Sequence, residues 1–332
     1  MRFLVALLFV VGASPVFAAC QGNDLFASMG DEQRGALETA ANVHPYPHGI
    51  LWHATRGTES VHLVGTMHFH DPRHDATLEQ VKPWIDAATS IFLEVGEGDE
   101  ARLQDKIARD PGLAFIVSGP TLPDLLPPDD WALLTKAMSD RGVPGFMAAK
   151  MKPWMAMLTL GLSKCVLADQ QAGLKGLDQL IIAHATDIGN PAQALEPIET
   201  ALNLFSGYTE QEMLEFLSLS LRQTAIDPND QHVTLVESYF DENIRILWEF
   251  SVQQGLDDPQ GMTRDEILTE FARLEDVILS KRNQSWMDHI LPAAKEGPVF
   301  VAVGALHLPG EQGVLRLLER EGFTITRVER LP

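Results

Sequence analysis

The chain has few basic residues, few cysteines and, beyond its first residues, no long apolar run. Lys and Arg number 25 against 46 Asp and Glu, so the formal net charge is −21 at pH 7. A chain this acidic repels nucleic acid and anionic lipid, so we expect no nucleic-acid partner, whereas cationic ligands such as metal ions are compatible with it. No segment after the leader approaches the roughly 20 apolar residues that span a bilayer, so we expect no membrane span in the processed chain.

Several common catalytic motifs are also missing. There is no HExxH, no GxSxG and no Walker A loop, which excludes a zincin-type helix site, a nucleophile elbow and a P-loop. The glycines Gly96 and Gly98 lack the third glycine of a dinucleotide-binding fingerprint. An active site in this chain must therefore be built from other residues.

The first 18 residues have the order of a secretory signal peptide. A positively charged start is followed by the apolar run Phe3–Gly12 and by small residues up to Ala18, which are the three regions of such a leader. We predict cleavage after Ala18 and a periplasmic or secreted protein. A transmembrane anchor is the first alternative, although the run is short for it. A lipoprotein attached through Cys20 is the second, although Phe17 stands where such leaders usually have Leu.

Cys20 and Cys165 are the only cysteines. In an exported protein an even number of cysteines indicates a disulfide, which here would join the start of the processed chain to its middle. The neighbours of Cys165 match no nucleophile signature, so a catalytic role for it is not favoured.

The hydrophobic pattern predicts strands near both ends of the chain and helices between them. The predicted strands cover residues 50–55, 61–65, 90–95, 192–196, 298–304 and 323–328. Helices are predicted over 75–88 and 310–322, and almost all of 199–295 has helical spacing. We therefore predict a helical insertion or lid over about residues 199–297.

The two ends of the chain repeat one pattern. Gly65-x-x-His68 and Gly304-x-x-His307 each follow a strand and precede a short loop, a helix and another strand. We predict an α/β fold whose mixed central β-sheet comes from two pseudo-repeated β-GxxH-α-β halves, flanked by helices, in one domain over residues 19–332. Ligands bind at the carboxyl ends of strands in open α/β sheets, so both histidines are expected in one cleft.

His68 and His307 are the first candidates for metal ligands, because two imidazoles and a carboxylate suit a borderline divalent ion. Glu94 is the candidate carboxylate. It ends the apolar strand that begins at Ser90, where an unpaired charge is costly and needs a partner. A structural salt bridge is the alternative interpretation of Glu94.

Other residues are candidates for supporting roles. Glu196 ends a short apolar segment and competes with Glu94 for the role of general base, with Glu199 as a weaker rival. Arg282 suits a substrate carboxylate or an oxyanion, although a solvent-facing charge is the alternative. Three histidines around His68 suit a second ion, but a solvated loop is the simpler interpretation: His62, His70 and His74. Asp178 is expected to cap a helix.

These residues resemble the TraB/GumN family, which includes the animal TIKI metalloproteases that inactivate Wnt, and more distantly the erythromycin-esterase-like and ChaN-like proteins. The resemblance lies in both GxxH elements, Phe92-Leu93-Glu94, Leu195-Glu196, Lys281-Arg282-Asn283 and Val303–Gly310. It implies a mixed sheet surrounded by helices. It also implies active-site roles for His68, His307 and Glu94, with Arg282 as a further candidate, and peptide cleavage that depends on manganese or cobalt.

The sequence thus predicts an exported hydrolase that depends on a divalent ion (Mn, Co or Zn) and cleaves peptide bonds. His68, His307 and Glu94 would hold the ion or its water, Glu94 or Glu196 would act as general base, and Arg282 would orient the substrate. The main alternative is a non-catalytic periplasmic protein that sequesters a peptide or a small ligand. A metal or haem carrier is a weaker one.

Overall fold

The protein is described by a computed structural model over residues 20–222 and 227–331. The predicted signal peptide, residues 1–18, lies outside the described residues. A six-stranded sheet forms the centre, with the order β4-β3-β5-β2-β1-β6. The strands are β1 Leu51–Arg56, β2 Glu59–Thr66, β3 Ser90–Leu93, β4 Gln193–Ala194, β5 Val299–Gly304 and β6 Thr324–Val328.

Helices surround this sheet. They are α1 Leu25–Ser28, α2 Asp31–Asn42, α3 His74–Ala87, α4 Asp99–Arg109, α5 Leu122–Leu125, α6 Pro128–Asp140, α7 Gly145–Ala148, α8 Pro153–Leu160, α9 Lys164–Gln171, α10 Leu177–Asp187, α11 Glu199–Asn203, α12 Glu210–Arg222, α13 Pro228–Phe240, α14 Ile244–Asp257, α15 Arg264–Glu275, α16 Lys281–Glu296 and α17 Val314–Arg320. A π-helical turn, Asp276–Ser280, joins α15 to α16. Among the described residues, no helix has both the length and the apolar character needed to cross a membrane.

The sheet is mixed, as predicted. Strand β1 runs antiparallel to both of its neighbours, whereas β2, β5, β3 and β4 are parallel to one another. Strand β5 is central and apolar throughout, with Val299 to Val303 all buried, as expected for a parallel strand covered on both faces. Phe300 packs with the helices on one face, and Val301 packs with Trp286 of α16 on the other.

The sequence located most elements and misjudged some of their lengths. Strand β4 is only Gln193–Ala194, and α17 begins only at Val314. The helix cannot start at Gly310 because this glycine has a φ of +96°, whereas a right-handed helix requires a negative φ. Glycine adopts such a positive φ more readily than other residues do. The segment 199–297 is largely helical, from α11 to α16. That it forms a lid, and that the two GxxH halves are a repeat, stay predictions.

The predicted disulfide is present. Cys20 and Cys165 are bonded, with their Cα atoms 5.4 Å apart. The bond joins Cys20, which precedes α1, to α9, and α2 packs against α14 through Leu37, Ala41 and Ile246. The N-terminal segment is therefore held both covalently and by apolar contacts.

Candidate active site

The candidate residues lie along one edge of the sheet. Glu196 follows β4, Glu94 follows β3, His307 lies in the turn after β5 and His68 follows β2. Because these four strands are adjacent and parallel in the order β4-β3-β5-β2, their carboxyl ends meet at the same edge. Pairing of Thr66 with Gly304 sets the two GxxH turns side by side.

Glycine leaves room where the two turns approach each other. A Cβ on Gly304 would lie 3.1 Å from Glu94 Oε1, 3.6 Å from His307 Cδ2 and 3.7 Å from His68 Nε2. A Cβ on Gly65 would lie 2.8 Å from Leu308 Cδ1 and 3.0 Å from the Cα of Ala305. The three predicted metal ligands therefore surround Gly304, and the glycine of each motif makes room for the other turn.

Glu94 is largely buried, and both of its carboxylate oxygens accept hydrogen bonds. Its Oε1 accepts the Gly304 amide at 2.5 Å, and its Oε2 accepts Arg282 Nη2 at 2.7 Å. Burial alone would raise the pKa of Glu94, but the two neighbouring histidines, Arg282 and the Gly304 amide outweigh it and lower the pKa to about 2. Glu94 is thus a carboxylate at any physiological pH, which suits a ligand better than a general base.

Arg282 connects the two glutamates. Its Nε lies 3.0 Å from Glu196 Oε2, and its Nη2 lies 2.5 Å from Glu196 Oε1. The Trp286 indole donates to Glu196 Oε2 at 3.2 Å, so both oxygens of Glu196 are occupied. Arg282 Nη1 also donates to the carbonyl of Ile278 at 3.0 Å, inside the π-helical turn, a type of irregularity that is frequent at functional sites.

His307 is buried and held in one tautomer. Its Nδ1 lies 2.6 Å from Asn283 Oδ1, while its Nε2 lies 3.2 Å from Arg282 Nη1. Because the guanidinium can only donate, Nε2 accepts and Nδ1 carries the proton. Burial dominates its titration and lowers the pKa of His307 to about 4. The ring is therefore neutral, with its Nε2 lone pair directed towards the cluster.

His68 is oriented in a similar way but faces the solvent. Its Nδ1 lies 3.2 Å from Asp178 Oδ1, and 59% of its side chain is exposed. Desolvation within the concave site would lower the pKa of His68, but Asp178 and Glu94 outweigh it and raise the pKa to about 9. Helix α10 brings Asp178 here because Leu177 N donates to Met67 O at 3.0 Å. A Cβ on Gly176 would collide with the His68 backbone.

The donor chemistry of His68, His307 and Glu94 suits a divalent ion, but their donor atoms do not all lie within 4.8 Å of one another. Among the described residues, one group of three has all its donor atoms within 4.8 Å of one another, and it consists of Cys20, Cys165 and His232. In the predicted set, the Arg282 guanidinium lies against both His307 and Glu94. Binding of an ion by these three residues therefore requires Arg282 to move from the His307 Nε2 atom.

The remaining candidates lie elsewhere. His62 stacks between His53 and Trp84, and the Nε2 of buried His74 is hydrogen-bonded to Phe69 O. The Nδ1 atom of His70 lies 3.4 Å from Lys175 O. These histidines form no second donor group among the residues that the structure describes. Glu199 pairs with Lys106 and is 44% exposed, so it is not part of the cluster.

Two clefts adjoin the cluster. One has a volume of about 890 Å³ and is lined by His68, the segment after Glu94 and one side of α9. The other, of about 590 Å³, is lined by Glu196, Arg282 and the first turns of α16. The site is thus reachable from two sides.

The contacts of Asp178, Asn283 and Trp286 within the cluster are not predicted by the sequence pattern. Asp178 was expected only to cap a helix, because its contact with His68 depends on how α10 docks. Asn283 and Trp286 lie one and four positions after Arg282. The helical spacing places Arg282 and Trp286 on one face, which is the one signal that was available.

The fold and this cluster define an α/β protein with a buried His–Arg–carboxylate site at the carboxyl ends of parallel strands. A family model, described as the TraB/PrgY/gumN family, matches residues 50–327. The chain belongs to this family. No curated protein and no solved structure gives a significant match.

Proposed function

We propose that the protein is an exported hydrolase that depends on a divalent metal ion and cleaves peptide bonds. The observation that carries this proposal is the matched setting of the two GxxH histidines. Asn283 holds Nδ1 of His307 and Asp178 lies beside Nδ1 of His68, so each Nε2 is directed to the side where Glu94 lies. Oxygen partners at the second nitrogen are the usual companions of metal-bound histidine.

In this proposal His68, His307 and Glu94 hold the ion, which is Mn²⁺, Co²⁺ or Zn²⁺. Because the pKa of His68 is raised to about 9, its ring must release the Nε2 proton when the ion binds. When bound, such an ion acidifies water and polarises a carbonyl group. The low pKa of Glu94 favours a ligand over a base, so Glu196 is the remaining candidate for the general base. To act as one, Glu196 would have to release an oxygen from Arg282 or Trp286.

Arg282 stabilises the reacting group. Its guanidinium is fixed between two carboxylates, so it presents a charge with little freedom to reorient. On moving from His307 Nε2 it would become available to a substrate carboxylate or a developing oxyanion while Glu196 still holds its Nε.

A peptide-library cleavage assay tests the proposal, together with elemental analysis of the purified protein. Wild type should contain a stoichiometric ion, lose cleavage in EDTA and regain it with Mn²⁺, Co²⁺ or Zn²⁺. His68→Ala and His307→Ala should abolish cleavage while the fold is retained. His184→Ala is a matched control, because His184 pairs with Asp86 on α3. Full cleavage by the two GxxH variants would refute the proposal.

A second candidate is a non-catalytic protein that sequesters a peptide or a small ligand. It is favoured by the hydrogen bonds from Arg282 to His307 Nε2 and Glu94 Oε2, since these are the atoms that an ion would use. This candidate predicts ligand binding that survives EDTA and no cleavage with any added ion. Loss of binding in EDTA would exclude it.

Export is part of the proposal. The Cys20–Cys165 disulfide is compatible with an extracellular or periplasmic location. N-terminal sequencing of the protein recovered from its native host should find a start directly after Ala18. An uncleaved Met1 would contradict export by this leader. A lipid on Cys20 would favour the lipoprotein and would exclude the disulfide, because one sulfur cannot carry both.

A further inference from the structure

A second group of side chains of metal-binding type lies outside the GxxH cluster. The Sγ atoms of Cys20 and Cys165 and a ring nitrogen of His232 all lie within 4.8 Å of one another. Cys165 is on α9, and His232 is on α13. The two sulfurs are joined in a disulfide, a form in which they are not metal ligands, because the thiolate is the species that binds metals.

Contacts other than the disulfide hold Cys20 at this place. The amide of Asn23 donates to Asp230 Oδ1 at 2.6 Å, and the amide of Leu25 donates to Thr234 Oγ1 at 2.8 Å. Gly22 packs so closely on α13 that a Cβ would lie 2.6 Å from Asn229 O. We expect these contacts to keep Cys20 near Cys165 and His232 after the disulfide has been opened.

We propose that Cys20, Cys165 and His232 form a redox-gated site that binds a thiophilic divalent cation, of which Zn²⁺ is the type, once the disulfide is reduced. Two thiolates and an imidazole are a common ligand set for zinc and leave one tetrahedral position for water. With metal–ligand bonds of about 2.0–2.3 Å, donor atoms of such a site lie roughly 3.5 Å apart. After reduction the two sulfurs must move apart and the His232 nitrogen must approach them, and side-chain shifts of about 1 Å each would achieve this.

The chemistry balances with a dithiol as reductant. The dithiol gives two electrons and two protons, the Cys20–Cys165 bond breaks into two thiols, and the dithiol closes to its own disulfide. Binding of the cation then releases the two thiol protons, and His232 binds as neutral imidazole.

The site adjoins the wall of the larger cleft. The His232 ring packs edge-on against Phe69, with ring centroids 5.3 Å apart, and Phe69 follows His68. Residues Val166 and Asp169 of α9 also line that cleft. A cation bound here would therefore keep Cys20 joined to α9 in place of the disulfide, and would add a link from α9 to α13 through His232.

The test uses the processed chain with Co²⁺ as a spectroscopic probe and Zn²⁺ as a competitor. Oxidised protein is titrated first, so that any ion at the GxxH site is counted separately. Protein reduced with a dithiol and desalted without air should bind one more equivalent of Co²⁺, with a thiolate-to-cobalt charge-transfer band that Zn²⁺ removes. Alkylation of the thiols should abolish this equivalent. His232→Ala should weaken it at least about tenfold, whereas His184→Ala should not change it.

Two results would overturn the proposal. One is reduced protein that takes up no more Co²⁺ than oxidised protein, including the case in which circular dichroism shows that reduction unfolds it. The other is His232→Ala with the affinity and spectrum of wild type. Neither result bears on the GxxH site, which is measured in the oxidised protein.

Discussion

The Gly304→Ala variant separates the site from the fold. The backbone of Gly304 has φ −50° and ψ 135°, which alanine adopts without strain. The new Cβ would lie 3.1 Å from Glu94 Oε1, which is tighter than a normal contact, and 3.7 Å from His68 Nε2, which is an ordinary contact. Glu94 must then move by a few tenths of an ångström, which would disturb its bonds to the Gly304 amide and Arg282.

The magnitude follows from the size of this shift. A misplacement of about 1 Å in a catalytic group can cost about 100-fold in rate, so a smaller shift of Glu94 should lower kcat/KM about tenfold. The free energy of unfolding should fall by about 1 kcal/mol, at the low end of the range for overpacking, since a single side chain has to move. Urea unfolding and peptide cleavage measure the two effects, and equilibrium dialysis measures metal affinity.

Two variants serve as controls for Gly304→Ala. Gly35→Ala lies on α2 with nothing within 4 Å of the new Cβ, so activity and metal affinity should be unchanged. Gly65→Ala places a Cβ 3.0 Å from the Ala305 Cα and should lose about 1–3 kcal/mol of stability through overpacking. Unchanged cleavage and metal affinity in Gly304→Ala would refute the inference that three ligands surround this residue.

Three further predictions concern other residues. Asn283→Leu removes the partner of His307 Nδ1 and should weaken metal binding by about 10–100-fold by equilibrium dialysis; wild-type affinity would contradict the assigned tautomer. Arg282→Lys cannot bridge two carboxylates as a guanidinium does, so cleavage should fall by about 100-fold or more, and an active variant would argue against a role in the reaction. Burial, and to a lesser extent His53, lower the pKa of His62 from 6.5 to about 4. Between these pH values the unfolded state binds more protons than the folded state, so the free energy of unfolding falls as the pH falls. In urea unfolding His62→Gln should show a weaker decline than wild type, and an identical decline would show that His62 does not contribute.

The sequence predicted the sheet because its strands carry strong signals. The central strand Val299–Gly304 is apolar on both faces, and β1 and β2 form a hairpin joined by a short polar turn. The predicted helix begins too early at Gly310, which has a positive φ and whose amide donates to Pro45 O at 2.8 Å, a long-range contact that no local pattern reveals. Propensity alone does not register such tertiary constraints.

The sequence predicts the site residues that follow strands. It does not predict the contacts that helices bring to the site. His68, His307 and Glu94 each follow an apolar strand, so the topology brings them to one edge. The contact between Asp178 and His68 depends on α10 docking its first turn on Met67, and no local pattern encodes that. Similarly, no local pattern indicates that Arg282 contacts both Glu94 and His307.

The position of a bound ion tests the central claim most directly. Crystals of protein loaded with Co²⁺ or Mn²⁺ should give one anomalous-scattering peak at this edge of the sheet. The peak should lie about 2.0–2.2 Å from the Nε2 atoms of His68 and His307 and from a Glu94 oxygen. Arg282 should then have left His307 Nε2 while keeping Glu196. A peak elsewhere, or no peak with Arg282 still bonded to His307, would contradict a metal centre built by the two GxxH elements.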